Sequence, residues 1–181
     1  MTRPRVRLYV AASLDGFIAD ASGGVGWLRP YETQDVGFDA FLAEIGVIVS
    51  GRRTYDQTQG FETWPYPGKR MVVLTHRPLE SNPPPGVEAF SGDIGALMDT
   101  LKRQSQGDIW LLGGAMVAHD FLERGLVDRI ELYIVPVLLG EGIRLFAPID
   151  RMRTLAFSEA RSFPNGIVGL FYDLAPKLRA V

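Results

Sequence analysis

The sequence has no cysteine and few histidines among its 181 residues. Without cysteine there can be no disulfide, no thiol nucleophile and no cysteine-ligated zinc site. The two histidines, His76 and His119, lie far apart in the chain, and no HExxH motif is present. The composition therefore predicts neither a zinc enzyme nor any other metal site.

Long apolar runs are also missing, since no stretch approaches the ~18 residues that span a bilayer. The basic amino terminus leads through a short apolar run to Asp15 and not to a small-residue cleavage site, which is typical of a first strand. We therefore expect a cytoplasmic protein without membrane contacts. A net charge of −2 gives no indication of nucleic-acid binding. Arginine outnumbers lysine 16 to 3, which suits phosphate recognition but is explained equally well by genome composition.

Apolar runs and helical periodicities alternate as far as Gly125 and then give way to strands alone. This order predicts one domain over residues 1–181, of the α/β class. We expect three layers (α/β/α), with about eight strands in a mixed, mainly parallel sheet, about four helices, and a carboxyl-terminal antiparallel hairpin turning at "PNG". The predicted strands are Arg5–Ala12, Val47–Ser50, Lys69–Thr75, Val87–Phe90, Asp108–Leu112, Arg129–Val135, Thr154–Phe163 and Gly166–Leu174, and the predicted helices are Asp35–Gly46, Arg52–Gln59, Asp93–Ser105 and Ala115–Arg124.

Three strand ends carry groups suited to anions. In "VIVSGRRTYD", Gly51 precedes two arginines at the start of a helix, where free N–H groups and a partial positive charge favour a phosphate. In "MVVLTHRP", a hydroxyl, an imidazole and a guanidinium follow the strand. In "IWLLGGAMVAHDFLERG", the Gly113–Gly114 pair lets backbone N–H groups approach a pyrophosphate.

Each junction also has a plainer interpretation. The arginines could be solvated side chains on a helix capped by Thr54, a polar strand exit is common, and a glycine pair can serve close packing of a strand over a helix. Ligands of open α/β sheets bind beyond the carboxyl ends of the strands. Three such junctions at one edge therefore predict an elongated ligand with several phosphates, such as NADPH.

Five motifs in order, "VAASLDGFIA", "GRRTYD", "VLTHRP", "LLGGAMVAHDFLE" and "VPVLLGEGIRLF", resemble the carboxyl-terminal reductase domain of the riboflavin-biosynthesis bifunctional deaminase-reductase. The resemblance runs from Val6 to Leu174 and implies a dihydrofolate reductase-like fold. Ala115 departs from it, standing where dihydrofolate reductases often have a third glycine. The cysteine signature of a zinc deaminase is absent, so we expect another protein to deaminate if this chain acts in riboflavin synthesis.

The resemblance implies NADPH as hydride donor and assigns residues to it by matching positions. Ala12 and Ile18 would line the nicotinamide, and the three junctions would hold the pyrophosphate and the 2′-phosphate. The junction residues so assigned are Gly51, Arg52, Arg53, Thr54, Thr75, His76, Arg77, Gly113, Gly114, Ala115, Met116 and Val117.

The substrate is expected between the nicotinamide, the loop Ser13–Pro30 and the helix predicted from Asp35. In that helix Asp35 and Asp39 are spaced i, i+4, which places them on one side, with Phe38 and Leu42 beside them. Apolar surroundings raise a carboxyl pKa and make it a proton donor near neutral pH.

By its position before Gly51, the resemblance makes Asp35 the first candidate for the catalytic acid and Asp39 the second. Asp35 could equally be a helix amino-terminal acid. Asp15 could form an Asx turn or meet the substrate, and Trp27 is expected to pack over the pocket or in the core.

The leading hypothesis is therefore an NADPH-dependent oxidoreductase acting on a small pyrimidine or pterin-like heterocycle. The reaction implied by the resemblance is reduction of 5-amino-6-(5-phosphoribosylamino)uracil. The alternatives are a pterin reductase like dihydrofolate reductase and a non-catalytic NADPH-binding module. We also expect a homodimer, with "RIELYIVPV" (residues 129–137) pairing or packing across a two-fold axis.

Overall fold

The computed structural model describes residues 3–150 and 152–174. Its main sheet has eight strands, of which six are parallel and the two at the carboxyl terminus form an antiparallel hairpin beside them. These strands are β1 (Val6–Ser13), β3 (Ile45–Gly51), β4 (Arg70–Leu74), β5 (Val87–Phe90), β6 (Asp108–Gly113), β7 (Arg129–Val135), β9 (Leu155–Ser162) and β10 (Val168–Leu174). Their order in the sheet is β5-β4-β3-β6-β1-β7-β10-β9.

Within the described residues, four α-helices cover the sheet and two short strands pair outside it. The helices are α1 (Phe38–Glu44), α2 (Arg52–Gln59), α3 (Ile94–Gln104) and α4 (Ala115–Arg124), and a 3₁₀ helix spans Gly26–Tyr31. The outlying strands are β2 (Phe17–Ala19) and β8 (Ile143–Arg144). In the described part of the chain no helix is long and apolar enough to cross a membrane.

Burial on both sides of the central strands creates the three layers. In β3, Val47 and Val49 face a core built with α3 and α4, whereas Ile48 faces a second core that includes Phe41 of α1 and Tyr55 of α2. This alternation follows from the two-residue period of a strand. Together with the strand order, the two cores confirm the predicted single-domain α/β class with a mixed, mainly parallel sheet.

The helix predicted over Asp35–Gly46 is shorter than expected. It begins at Phe38, after Gly37 at a φ of +84°, and β3 begins at Ile45. The helical spacing of apolar residues included Ile45, but Ile45 is the first residue of β3. It is buried in the strand, as it would be on the buried face of a helix, so the apolar pattern alone did not distinguish the two. Asp35 therefore lies outside the helix, and the expectation that Asp35 and Asp39 share one helix face is wrong.

The strand Arg129–Val135 lies inside the sheet, hydrogen-bonded to β1 on one side and to β10 on the other. Neither edge is free for a second copy of the chain, so the expectation of pairing through this strand is wrong. The carboxyl-terminal hairpin is confirmed. It turns at Gly166, whose N–H donates to Phe163 O at 2.9 Å and whose φ is +86°.

Candidate active site

A cavity of about 550 Å³ lies at the carboxyl ends of the central strands, bounded by the first turns of α2 and α4. The segment from β2 to the 3₁₀ helix and the start of α1 complete its walls. The predicted site residues found in its lining are Ile18, Phe38, Gly51, Arg52, Arg53, Thr54, Gly114, Ala115, Met116 and Val117. Two of the three strand ends predicted to bind anions, those at Gly51 and Gly114, therefore lie at one cavity.

The first turn of α2 presents backbone N–H groups without a side-chain cap. Gly51 is the N-cap, so the expected capping by Thr54 is wrong. The Arg52 guanidinium forms an ion pair with Asp56, in which Nε lies 2.6 Å from Oδ1. It also donates a hydrogen bond from Nη1 to Pro78 O at 2.7 Å. Arg53 is exposed and makes no ion pair or hydrogen bond from its side chain within residues 3–150 and 152–174. Its guanidinium is therefore available to a ligand.

The first turn of α4 is built in the same way. Its N-cap is Gly114, with no side-chain hydrogen bond, and the preceding Gly113 has a φ of +112°, which favours glycine. The Gly113–Gly114 peptide bond is cis. By contrast, α3, which does not line the cavity, is capped by the Asp93 carboxylate bonded to Ala96 N at 2.8 Å.

Close packing accounts for the glycines at these two junctions. A Cβ on Gly51 would lie 2.9 Å from Val117 Cγ2, and a Cβ on Gly114 would lie 3.1 Å from Thr54 Oγ1. The two helix starts therefore approach each other closely. The glycines satisfy the packing interpretation and also leave the first N–H groups of α2 and α4 without a capping side chain at the same cavity.

The third junction lies beside this cavity and not in its lining. Thr75 Oγ1 accepts a hydrogen bond from Arg77 N at 3.0 Å, and the side chains of His76 and Arg77 are exposed. The segment is tied to α2 through Pro78, and by a hydrogen bond from the Tyr55 hydroxyl to Glu80. Ala12 and Gly113 also lie outside the lining.

The candidate acids lie at the surface. Asp35 accepts a hydrogen bond from Gly37 N at 2.7 Å and is exposed, as is Asp39. Neither carboxylate lines the cavity. Leu42 packs against the second core, which contains Phe41. Trp27 packs against a third core, which contains Tyr133 of β7 and Phe171 of β10.

Asp15 joins two loops at the edge of the site. Its carboxylate accepts hydrogen bonds from the Ser13 hydroxyl at 2.6 Å, Leu139 N at 3.1 Å and Gly140 N at 2.7 Å. The Ser13 bond is the main cause of a pKa lowered to about 2. These contacts hold the loop after β1 against the segment before β8, whose Ile143 lines the cavity.

We expect Asp15→Asn to lower the melting temperature at neutral pH, with a loss that disappears in acid. The folded carboxyl titrates at about 2 and an unfolded one near ~4. Its stabilisation is therefore complete above pH ~4 and is lost as pH falls toward ~2. Melting curves of wild type and variant between pH 7 and pH 2 measure the difference. A difference that persists unchanged at the lowest pH would contradict this role.

Several lining residues were not predicted from the sequence. Gln57 and Thr58 lie about one helical turn after Arg53 and Thr54, so helix periodicity could have found them. The aromatic residues Tyr9, Phe61, Tyr66 and Trp110 also line the cavity, and no motif marks them. Among the described residues no group of three potential metal-ligating side chains is found.

The fold has solved counterparts. A putative riboflavin biosynthesis protein from Shewanella sp. PV-4 superposes with a TM-score of 0.87 at 24% identity, covering 94% of this chain and 99% of that one. Dihydrofolate reductase from Enterococcus faecalis, in complex with NADP(H) and RAB-propyl, superposes with a TM-score of 0.65 at 18% identity, covering 94% of this chain and 96% of that one. The fold is therefore dihydrofolate reductase-like.

Residues 4–169 match the RibD C-terminal domain family. The uncharacterised protein YyaP of Bacillus subtilis is 33% identical over 178 residues, covering 93% of this chain and 94% of its own length. The chain belongs to the RibD C-terminal domain family, which confirms the resemblance found in the sequence. Membership of this family supports an oxidoreductase function of the pyrimidine-reductase type.

Proposed function

We propose that this protein binds NADPH and uses it to reduce a small pyrimidine or pterin-like heterocycle. The observation that carries the proposal is the meeting of two uncapped helix amino termini and one unpaired guanidinium at a single cavity. A helix amino terminus with free N–H groups attracts phosphate through hydrogen bonds and the helix dipole. A dinucleotide has a pyrophosphate of matching charge.

The residues present suit the phosphorylated form of the cofactor. Gly51–Thr54 and Gly114–Val117 would hold the pyrophosphate, with Arg53 as a charged donor. Thr75, His76 and Arg77, next to the start of α2, would hold the 2′-phosphate. Ile18 in the lining, together with Ala12, would support the nicotinamide, which supplies the hydride when the cofactor is bound.

The substrate candidate is 5-amino-6-(5-phosphoribosylamino)uracil, which the family suggests. Ring contacts would come from Phe38 and Leu42, with Asp15 and Trp27 supporting the surrounding loops. Asp35 and Asp39 are the candidates for the proton donor. Because both are exposed, a water molecule would have to carry the proton between carboxyl and substrate.

NADPH oxidation against a panel of aminouracils, pterins and small imines tests this proposal. We expect turnover with an aminouracil or pterin, and a lower kcat with unchanged NADPH affinity in Asp35→Asn if that residue is the acid. Asp39→Asn is the matched comparison. Tight NADPH binding without turnover on any member of the panel would instead indicate a binding module.

A homodimer remains part of the proposal, although β7 cannot mediate it by strand pairing. Sedimentation at several protein concentrations measures the oligomeric state. The edge strands of the sheet are β5 and β9.

A further inference from the structure

Five aromatic residues line the cavity, and we call them the aromatic wall: Tyr9, Phe38, Phe61, Tyr66 and Trp110. The centroid of Trp110 lies 5.3 Å from that of Tyr66 and 5.6 Å from that of Phe38. The Tyr9 and Phe38 centroids are 5.8 Å apart. Phe61 extends the wall toward solvent, since 49% of it is exposed. Such a surface suits the face or edge of a flat ring.

The aromatic wall carries no formal charge. The charged side chains in the cavity lining are Arg52 and Arg53, and both belong to the first turn of α2. One of them, Arg52, is already bonded to Asp56 and Pro78 O. If Arg53 meets the cofactor, the described residues of the lining offer no cation to a phosphate on the substrate and no carboxylate to a protonated ring.

The Tyr66 hydroxyl is a polar group left without a partner in this wall. Tyr66 is only 8% exposed, and its hydroxyl makes no hydrogen bond to another described residue. A tyrosine hydroxyl is protonated at neutral pH and can donate a hydrogen bond, and burial raises the pKa of Tyr66 further. Unlike the Tyr9 hydroxyl, this hydroxyl keeps some accessible surface, so a bound molecule can accept its hydrogen bond.

The other polar groups of the wall are satisfied or enclosed. Trp110 Nε1 donates to Tyr9 O at 3.2 Å. The Tyr9 hydroxyl is close to Tyr133 without meeting hydrogen-bond geometry, and it has almost no accessible surface. Tyr66 is therefore the donor of the wall that a bound ligand would satisfy.

We propose that the aromatic wall receives the heterocyclic ring of the substrate as an uncharged planar group and that Tyr66 donates its hydroxyl hydrogen bond to a carbonyl oxygen of that ring. The inference rests on the proposed function, because the same cavity must also hold the reduced cofactor. It adds that the wall recognises the ring itself, whereas a phosphate attached to the ring finds no charged partner in it.

The first test compares Tyr66→Phe with the unmodified protein, both loaded with NADP⁺ and titrated with the aminouracil by calorimetry. Loss of one neutral hydrogen bond is expected to weaken binding by about 3- to 10-fold. NADPH affinity and melting temperature should stay unchanged. Tyr172→Phe, on β10 and outside the cavity, is the matched control and should bind the aminouracil normally. Equal affinities of Tyr66→Phe and wild type would overturn the assignment.

The second test compares 5-amino-6-(5-phosphoribosylamino)uracil with its dephosphorylated form. We expect their affinities for the loaded protein to differ by less than about 3-fold, because the wall has no cation. A preference for the phosphorylated form above about 10-fold would overturn the inference. Failure of both compounds to bind a protein that binds NADPH would also overturn it. Failure of the proposed function has a different signature, namely no NADPH binding by the unmodified protein.

Discussion

Replacing Arg53 and Arg77 together by alanine is expected to weaken NADPH binding by about 100-fold and to change NADH binding by about 10-fold or less. Both side chains are exposed and without an ion pair in residues 3–150 and 152–174. A charge-assisted hydrogen bond contributes about 1.5–3 kcal/mol, and exposure reduces this toward the lower end. Two such bonds correspond to about 100-fold in affinity. The Arg77 contribution should be specific to the 2′-phosphate, which NADH lacks.

The matched control is Arg70→Ala with Arg103→Ala, which removes the same charge far from the cavity. Arg70 begins β4 and pairs with Glu88, and Arg103 lies in the last turn of α3. This pair should change NADPH affinity by less than about 2-fold at 0.15 M salt, where distant charges are screened. Equal losses for NADPH and NADH in the first variant would remove the assignment of a 2′-phosphate site.

Arg7→Met is expected to lower the free energy of unfolding by about 3 kcal/mol, the lower end of the usual cost of breaking a buried ion pair, because the buried Glu131 carboxylate keeps a longer contact with Arg129 Nε at 3.3 Å. The Arg7 side chain is 6% exposed, and that of Glu131 on the adjacent strand is 5% exposed. Arg7 donates from Nε and Nη2 to the Glu131 carboxylate at 2.9 and 2.7 Å. It also contacts Glu44 and lies 4.6 Å from the centre of the Phe41 ring. Urea unfolding followed by circular dichroism gives the difference.

A double variant separates charge burial from lost packing. Arg7→Met with Glu131→Leu removes both buried charges, so it should recover most of the stability lost in Arg7→Met. Arg161→Met is the surface control, because its ion pair with Glu159 is half exposed and should contribute little. A double variant no more stable than Arg7→Met alone would show that packing against Phe41 accounts for the loss.

The parts of the fold that could be predicted are those in which the pattern of apolar residues matches the way the element is buried. Val47, Ile48 and Val49 form an unbroken apolar run because both faces of β3 are covered. The position of two helix starts at the cavity could be predicted because "GRRT" and "GGAM" place glycine and the helix start at strand ends. Because β3 and β6 are parallel neighbours, the helix starts that follow them lie at the same edge of the sheet.

The rest of the site depends on packing between segments distant in sequence. Tyr66 follows α2 in an irregular segment without periodicity, yet it meets Trp110 of β6. The error at Asp35 has a related cause: an i, i+4 spacing implies a shared face only if the helix includes both residues. Gly37, which has a positive φ, is the N-cap of α1, so the helix begins at Phe38 and does not include Asp35.

The most direct test of the account is an ¹⁵N NMR titration of the unmodified protein with NADPH. We predict that the largest backbone amide shifts fall on Arg52, Arg53, Ala115 and Met116, the first residues of α2 and α4. Amides at the start of α3, which has its own carboxylate cap, should not move. Saturable NADPH binding that leaves α2 and α4 unshifted, or no binding at millimolar NADPH, would contradict the claim that these two helix starts hold the cofactor.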